Sequence, residues 1–220
     1  MAKLTMKNAK VSAKVSTPVG RMLWMNLAEP KPADAMMQAN KYTCTIAWDK
    51  KDLSDANKEA MKNLVAAIEK VAREAYGDNS LTIKDIPQSV IKDGASMENQ
   101  TYLHDMWVCS SSTGAKFPPA VYGPVISFGA MSKEDIANIA QGDYGRMVIT
   151  VSAYKTPVTS GITCYLSLVQ YAKKGEYLGG GKPAESFISD LAEDLTADSL
   201  TGGADEIKKE EEDSDDFFSI

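Results

Sequence analysis

The sequence predicts a mainly β protein: a small barrel of five or six strands with one long amphipathic helix, followed by a disordered acidic C-terminal tail. Three observations predict this fold class. Short apolar segments alternate with a period of two residues, which is typical of half-buried strands. One longer segment has the apolar spacing of a helix. The end of the 220-residue chain is strongly acidic, a composition that does not build a core.

The first strands are predicted near the N-terminus. The segment 11–15 alternates apolar and polar residues, and Arg21 to Leu27 is mostly apolar. Two prolines predict a loop from Glu29 to Asp34. The segment Lys41 to Trp48 (KYTCTIAW) is the clearest of the early strands, because its even-numbered residues are apolar and its odd-numbered residues are mostly polar.

One long helix is predicted to begin at the N-cap Ser54 and to end at Gly77. Its apolar residues recur every three or four positions: Met61, Leu64, Val65, Ile68, Val71, Ala72 and Ala75. A shorter helix is predicted from Ser132 to Ala140, with Glu134 and Asp135 in its first turn. The polar segment between residues 78 and 99 predicts a loop.

The later strands complete the barrel. Thr101 to Ser110 predicts a strand, followed by a loop rich in Ser, Gly and Pro that extends to about Pro124. Arg146 to Tyr154 and Ile162 to Tyr171 predict the last two strands. Their inward residues are expected to be Met147, Ile149, Val151 and Ala153 on the first strand, and Ile162, Cys164, Leu166 and Leu168 on the second. Since no βαβ rhythm is present, these strands favour an OB-fold-like barrel with a helix over one end, and a β-sandwich is the alternative.

The charge divides the chain into two parts. Residues 185–220 contain 13 acidic and 2 basic residues, a balance of −11. Subtraction from the whole-chain totals of 30 acidic and 24 basic residues leaves 17 acidic and 22 basic residues in 1–184, a balance of +5. We therefore predict two parts, a mildly basic body over residues 1–184 and an acidic, largely disordered tail over residues 185–220.

The composition disfavours several other classes of protein. His104 is the only histidine, and a partly buried strand position explains it better than a metal site does. Three scattered cysteines, Cys44, Cys109 and Cys164, indicate reduced buried thiols rather than a disulfide framework. The glycines at 179–181 lack the spacing of a phosphate loop. We therefore expect no enzyme, no cofactor and no metal, and without an apolar span or signal segment we expect a location in the cytoplasm.

A surface remains as the candidate site. Aromatic and basic side chains are interleaved on the last two strands, a composition that suits stacking on bases and attraction of phosphates. Tyrosines are common in strands and lysines on surfaces, so an ordinary solvated face is the alternative. The residues predicted to bind DNA are Arg146, Tyr154, Lys155, Tyr165 and Lys173, extended by Trp107, Lys116 and Phe117.

The end of the tail predicts a docking motif. Large apolar residues follow a run of acidic residues at the C-terminus. A tail that only increased solubility would not need these apolar residues. The acids would steer the motif toward a partner, and the phenylalanines would enter a pocket on that partner. The alternative is that the phenylalanines fold back onto the chain's own body. The predicted docking residues are Asp213, Asp215, Asp216, Phe217 and Phe218.

From about Lys41 onward the chain resembles the phage-encoded single-stranded DNA-binding proteins with an OB fold and an acidic, aromatic-ended tail. The resemblance rests on the KYTCTIAW strand, the helix up to Tyr76, the turn at residues 92–94 and the loop at Phe117. Its strongest part is VSAYKTPVTSGITCYLSLVQYAKKGEYLGGG, residues 151–181, followed by the tail.

The resemblance implies that the protein coats single-stranded DNA in replication, recombination and repair, and that it anneals strands. It implies that Tyr154, followed by Lys155, stacks on DNA. It also implies that the tail contacts the replicative polymerase and primase-helicase, competes with DNA and supports a homodimer. Two departures are Thr156, where some members have tryptophan, and Ser219-Ile220 beyond the phenylalanines. The competing interpretations are a phage assembly scaffold with a nucleic-acid-mimicking tail and, more distantly, a nuclease accessory subunit.

Overall fold

The structure, a computed structural model, describes residues 5–32, 39–51, 53–86 and 90–178. These residues form eight strands and two α-helices. The strands are β1 (Ser12–Ser16), β2 (Gly20–Pro32), β3 (Asn40–Asp49), β4 (Ile91–Asp93), β5 (Met106–Gly114), β6 (Ala120–Tyr122), β7 (Tyr144–Lys155) and β8 (Ser160–Lys173). The helices are α1 (Asp55–Tyr76) and α2 (Lys133–Ala137), and short 3₁₀ turns cover Ile83–Asp85, Gly94–Ser96, Thr101–Leu103 and Ile126–Phe128.

Five of the strands follow one another around a partly closed ring in the order β2, β3, β5, β8, β7 and back to β2. Four of the five contacts are antiparallel, and β5 pairs with β8 in parallel. The closure is narrow at β5–β8, where Ser112 opposite Tyr165 is the one registered pair. This arrangement is the partly open barrel of the OB fold, as the sequence predicts.

The barrel core follows the predicted alternation along β7. Met147, Ile149 and Val151 are fully buried, while the residues between them face outward. Helix α1 packs its apolar residues, among them Leu64 and Ile68, against this core. The N-cap Ser54 accepts a hydrogen bond from the Asn57 N–H, and Gly77 ends the helix with φ of 66°. The predicted limits of this helix are therefore confirmed.

The largest differences between the structure and the sequence prediction lie at the end of β2 and at the two ends of β5. β2 continues through the predicted loop to Pro32, because Lys31 and Pro32 still pair with the start of β3. Residues 101–103 form a 3₁₀ turn instead of the start of a strand, and β5 begins at Met106 and extends to Gly114. His104 follows that turn and is exposed, so the prediction of a partly buried strand position is wrong.

A bulge in β8 changes which residues point inward. Val148 pairs with Leu168 but Ile149 pairs with Leu166, so Ser167 is the extra residue. Beyond this bulge Val169 is buried in place of the predicted Leu168. Tyr171, which the sequence places on the outer face, packs against the core for the same reason.

The described residues contain no helix with the length and apolar content needed to cross a membrane. The predicted boundary between body and tail at residues 184 and 185 lies outside the described residues, as does the glycine run at 179–181.

Candidate nucleic-acid interface

The outer face of β3, β5 and β8 carries small polar side chains at one end of the barrel. Because Cys44 and Ile46 point into the core, Thr43 and Thr45 point outward. Thr43 lies opposite Ser112, and Thr45 lies opposite Ser110 with 2.8 Å between the two hydroxyl oxygens. Short side chains leave a depression at this position on the sheet.

This depression is a groove composed of two connected cavities of about 350 and 560 Å³. We call it the groove. The residues that line both cavities are Lys41, Ser110, Ser112, Thr163 and Cys164. Trp24 and Asn26 line only the first cavity, while Lys92, Tyr154 and Tyr165 line only the second. Three aromatic rings therefore border a polar floor.

Trp24 is held in position by an irregularity of β2. The pairing of β2 with β3 shifts between Leu23 and Asn26, and Trp24 has φ of 46°, in the left-handed region that residues with a Cβ seldom adopt. The Thr43 hydroxyl donates to the Trp24 carbonyl at 3.1 Å and accepts from the Asn26 side-chain amide at 3.0 Å. These bonds secure the bulge that turns the indole toward the groove.

The indole of Trp24 is also bound at its polar edge. It donates a hydrogen bond to the side chain of Tyr102, which lies in the 3₁₀ turn before β5. Burial raises the pKa of Tyr102 above its usual value, and the bond from Trp24 lowers that pKa in part. The ring of Trp24 is thereby oriented in the free protein, with 37% of the residue exposed.

The two tyrosines stand on neighbouring strands at the other side of the groove. Tyr165 is 51% exposed on β8. Tyr154 on β7 lies opposite Gly161 and its ring lies against that glycine. A flat, partly exposed ring beside a polar floor is the arrangement on which an unpaired base can stack.

The groove is electropositive. Lys41 and Lys92 line it, and no aspartate or glutamate is among the described residues of its lining. Neither lysine forms an ion pair with a described acidic side chain. Their charges are therefore available to an anionic ligand, and nucleic-acid phosphates are such a ligand.

The structure brings some of the predicted DNA-binding residues together here. Tyr154 and Tyr165 line the groove. Lys116 and Phe117 are not among the lining residues, and they follow Gly114, which pairs with the groove residue Lys41. Phe117 is 71% exposed.

The other predicted DNA-binding residues lie elsewhere on the body. Lys155 is on the opposite side of β7 from Tyr154, and its ammonium donates to the Met6 carbonyl at 3.3 Å. Trp107 lies at the far end of β5, opposite Trp48, with the Lys50 ammonium 5.1 Å from its ring centre. Arg146 and Lys173 are at the far end of the β7–β8 hairpin.

Three of the aromatic and basic residues that line the groove were not predicted from the sequence: Trp24, Lys41 and Lys92. The position of Lys41 could have been predicted from the alternation of β3, because Lys41 continues the outward series of Thr43 and Thr45. Trp24 has none, because it lies within an apolar run and a backbone bulge sets its direction.

The described residues offer little for catalysis. Burial raises the pKa of the Cys44 thiol to about 12, and the pKa of Cys109 is raised by its hydrogen bond with Cys164 and by burial. Such thiols stay protonated and are poor nucleophiles. No group of three or more His, Cys, Asp or Glu side chains is placed to hold a metal ion in the part of the chain that the structure describes.

Comparison with known proteins decides the family. The model of the Enterobacter phage Enc34 ssDNA-binding protein family matches residues 13–200, most of the chain. The chain belongs to this family. The resemblance to phage single-stranded DNA-binding proteins is thus confirmed, and the family is one of binding proteins, not enzymes. A comparison with curated protein sequences finds no match.

Solved structures of the Enc34 protein show the same fold. The single-stranded DNA-binding protein from bacteriophage Enc34 in complex with ssDNA has a TM-score of 0.60 at 20% identity, over 81% of this chain and 100% of that chain. Another structure of the Enc34 protein has a TM-score of 0.56 at 20% identity, over 80% and 90% of the two chains. The single-stranded DNA-binding protein gp2.5 of bacteriophage T7 has a TM-score of 0.48 at 13% identity, over 85% and 97%.

The predicted docking residues Asp213, Asp215, Asp216, Phe217 and Phe218 lie outside the described residues, and their role stays a prediction.

Proposed function

We propose that the protein binds single-stranded DNA in the groove, with little preference for sequence. Bases stack on Trp24, Tyr154 and Tyr165, and phosphates lie against Lys41 and Lys92. The observation that carries this proposal is the lining of the groove. Three aromatic rings and two lysines that form no ion pair with a described acid surround a polar floor, and no described acid lines it. Membership in the Enc34 family supports it.

Selectivity for single strands follows from the kind of contact. A base within a duplex is stacked on its neighbours, so its face is hidden from an aromatic side chain, whereas an unpaired base exposes it. Every base has such a face, so stacking tolerates any sequence. Phosphate contacts release counterions and make the affinity fall with salt.

We propose further that the protein coats DNA during phage replication, recombination and repair, promotes annealing and forms a homodimer. The acidic tail would recruit the replicative polymerase and primase-helicase through Phe217 and Phe218. The support for these roles is the acidic, aromatic-ended sequence of the tail and its resemblance to phage proteins of this kind.

Tryptophan fluorescence tests binding in the groove. Trp24 and Trp107 are equally exposed, at 37%, and only Trp24 lines the groove, so Trp107→Phe is a matched control for Trp24→Phe. With a long oligodeoxythymidine, the Trp107→Phe protein should lose fluorescence on binding, and the Trp24→Phe protein should lose much less. A matching duplex should give a weaker response. A response that persists in Trp24→Phe and disappears in Trp107→Phe would place the DNA outside the groove.

A further inference from the structure

A second electropositive surface lies at the far end of the β7–β8 hairpin from Tyr154. We call it the basic patch and define it as Arg21, Tyr144, Arg146, Lys173 and Lys174. The ring of Tyr144 is contacted by two cations, with the Arg21 guanidinium carbon 4.9 Å and the Lys173 ammonium 5.0 Å from its centre. Arg21 also donates to the Tyr144 hydroxyl at 3.0 Å.

The four cations of the basic patch form no ion pair with a described acidic side chain. The acid among the lining residues is Glu176, and its contact with Arg21 is made by the backbone carbonyl. The neighbouring Asp143 is buried, and its carboxylate accepts the backbone N–H groups of Ala140 and Gly175. Positive charge therefore predominates at this surface, beside an open cavity of about 520 Å³.

Strands β7 and β8 connect the groove to the basic patch. β7 and β8 contain no aspartate or glutamate along their whole lengths. The outward side chains between the two sites include Thr150 and Ser167, whose hydroxyl oxygens are 3.2 Å apart, and Ser152. Nothing on these two strands would repel a phosphate chain.

The distance suits one continuous strand of DNA. Tyr154 and Arg146 are eight residues apart on β7 (154 − 146), which at ~3.3 Å per residue is about 26 Å along the strand. A DNA strand with ~3.4 Å per nucleotide covers this length with about eight nucleotides, and with fewer if it is stretched. Sites of ~4–16 nucleotides are typical of one OB fold.

We propose that a single strand of DNA leaves the groove, runs along the outer face of β7 and β8 and is held at its far end by the basic patch. Arg21, Arg146 and Lys173 bind its phosphates, and Tyr144 positions two of these cations. This inference rests on the proposed function and extends its binding site from the groove to an elongated track on one subunit.

Oligonucleotide length separates the two sites. We would compare the Arg146→Ala/Lys173→Ala protein with the wild type on oligodeoxythymidines of about four nucleotides, too few to reach from Tyr154 to Arg146, and of about twenty nucleotides. The patch variant should bind the short strand as the wild type does and the long strand about tenfold more weakly. Its slope of log affinity against log salt on the long strand should be smaller by about 1.4, since each lost single-strand phosphate contact removes ~0.7.

Lys70→Ala/Lys84→Ala is the matched control, because it removes two exposed lysines that form no ion pair with described acids and are not part of the groove or the basic patch. It should bind both lengths as the wild type does. An equal loss on both lengths, or no loss on the long strand, would overturn the proposal. Unchanged affinity for the long strand with slower annealing would instead assign the basic patch to a second strand.

Tyr165→Ala separates this proposal from the proposed function, since it removes a ring of the groove. It should weaken binding of both lengths. If Tyr165→Ala binds both lengths normally while the patch variant loses the long strand, the groove assignment is wrong and the basic patch alone holds DNA.

Discussion

The ring of Tyr154 lies against Gly161 on the neighbouring strand. A Cβ atom at position 161 would come within 3.0 Å of the Tyr154 hydroxyl oxygen and within 3.1–3.2 Å of two ring carbons. These distances are shorter than ordinary contacts, so another residue at 161 requires the ring to shift by a few tenths of an ångström. The glycine thereby sets the position of an aromatic side chain in the groove.

Gly161→Ala should therefore weaken binding of single-stranded DNA without unfolding the protein. The contacted atoms are the far end of a side chain that can shift by a few tenths of an ångström, so the loss should be a part of the ~1–3 kcal/mol that a whole stacking contact supplies. Gly114→Ala is the matched control, because a Cβ at 114 meets nothing within 4 Å. Affinities from anisotropy and thermal transitions would be measured for both. Equal affinities of the two variants would show that Tyr154 needs no fixed position.

Two substitutions of Trp24 distinguish the contribution of its ring to DNA binding from the strain of its backbone conformation. Trp24→Ala and Trp24→Gly both remove the indole, so both should weaken binding by a similar factor. Glycine adopts φ near 46° readily and alanine does not, so the glycine variant should be the more stable by about 1 kcal/mol. At an ordinary strand position the order is reversed. Urea unfolding of the two variants measures this difference, and a more stable alanine variant would mean that residue 24 leaves the left-handed region once the ring is gone.

Core and groove substitutions should have opposite effects. Ile149 is fully buried, so Ile149→Ala should lower the free energy of unfolding by about 2–5 kcal/mol. Tyr165→Ala, at a residue that is 51% exposed on the outer face, should leave the thermal transition nearly unchanged and weaken DNA binding. Calorimetry and DNA titration of both variants would be compared. Loss of stability in Tyr165→Ala with normal binding would assign that ring a structural role.

The buried thiol of Cys44 should make stability depend on alkaline pH. Burial raises its pKa from 9.0 to about 12 in the folded protein. Above pH 9 the unfolded chain loses this proton while the folded protein keeps it, so the stability that is fully present below pH 9 falls as the pH rises toward 12. Cys44→Ala should lose less stability across this window than the wild type does. Identical pH profiles of the two proteins would contradict the assignment.

Truncation before Gly202 should strengthen DNA binding at low salt. The removed residues contain 8 acidic and 2 basic residues, so the net charge changes from −6 to 0. A protein without this negative charge repels phosphates less, and salt screens the difference. Affinities of the full chain and the truncated chain should therefore converge as salt increases. A constant ratio between them would exclude a charge effect.

Phe217→Ala/Phe218→Ala should remove partner recruitment while DNA affinity stays nearly the same, because the charge of the tail is unchanged. Binding of the phage polymerase and primase-helicase would be measured by surface plasmon resonance, with the DNA titration as the control. Normal recruitment by this variant would mean that the acids alone make the contact.

The two faces of β7 can be predicted from the sequence. The two-residue alternation of β7 correctly separates Met147 and Ile149 from Arg146 and Tyr154, because each inward residue is apolar and one sheet face is buried. The same alternation places Lys155 on the side of β7 opposite to Tyr154. The prediction that both residues bind DNA on one face ignores this alternation. Adjacent residues of a strand point to opposite faces, and the structure follows that rule.

The residues missed by sequence reasoning depend on backbone irregularities and on tertiary structure. The direction of Trp24 is set by a bulge within an apolar run, where no alternation reveals it. The bulge at Ser167 reverses the faces of the end of β8. Lys41 and Lys92 are 51 residues apart (92 − 41) and line the same cavity because β3 and β4 both pair with β5. The proximity of residues on strands far apart in the chain produces no periodic pattern in a single sequence.

The narrow closure of the barrel at β5–β8 would couple DNA binding to the local stability of the barrel. The seam between β5 and β8, with Ser112 opposite Tyr165 as its registered pair, lies in the lining of the groove. A nucleic-acid strand that contacts both edges joins them where the protein's own hydrogen-bond ladder is shortest. We expect amide hydrogens beside this seam to exchange by local opening, and a ligand that binds only the closed form would suppress that opening by mass action. In the proposed binding mode, a DNA strand would therefore stabilise the barrel wall at this seam for as long as it is bound.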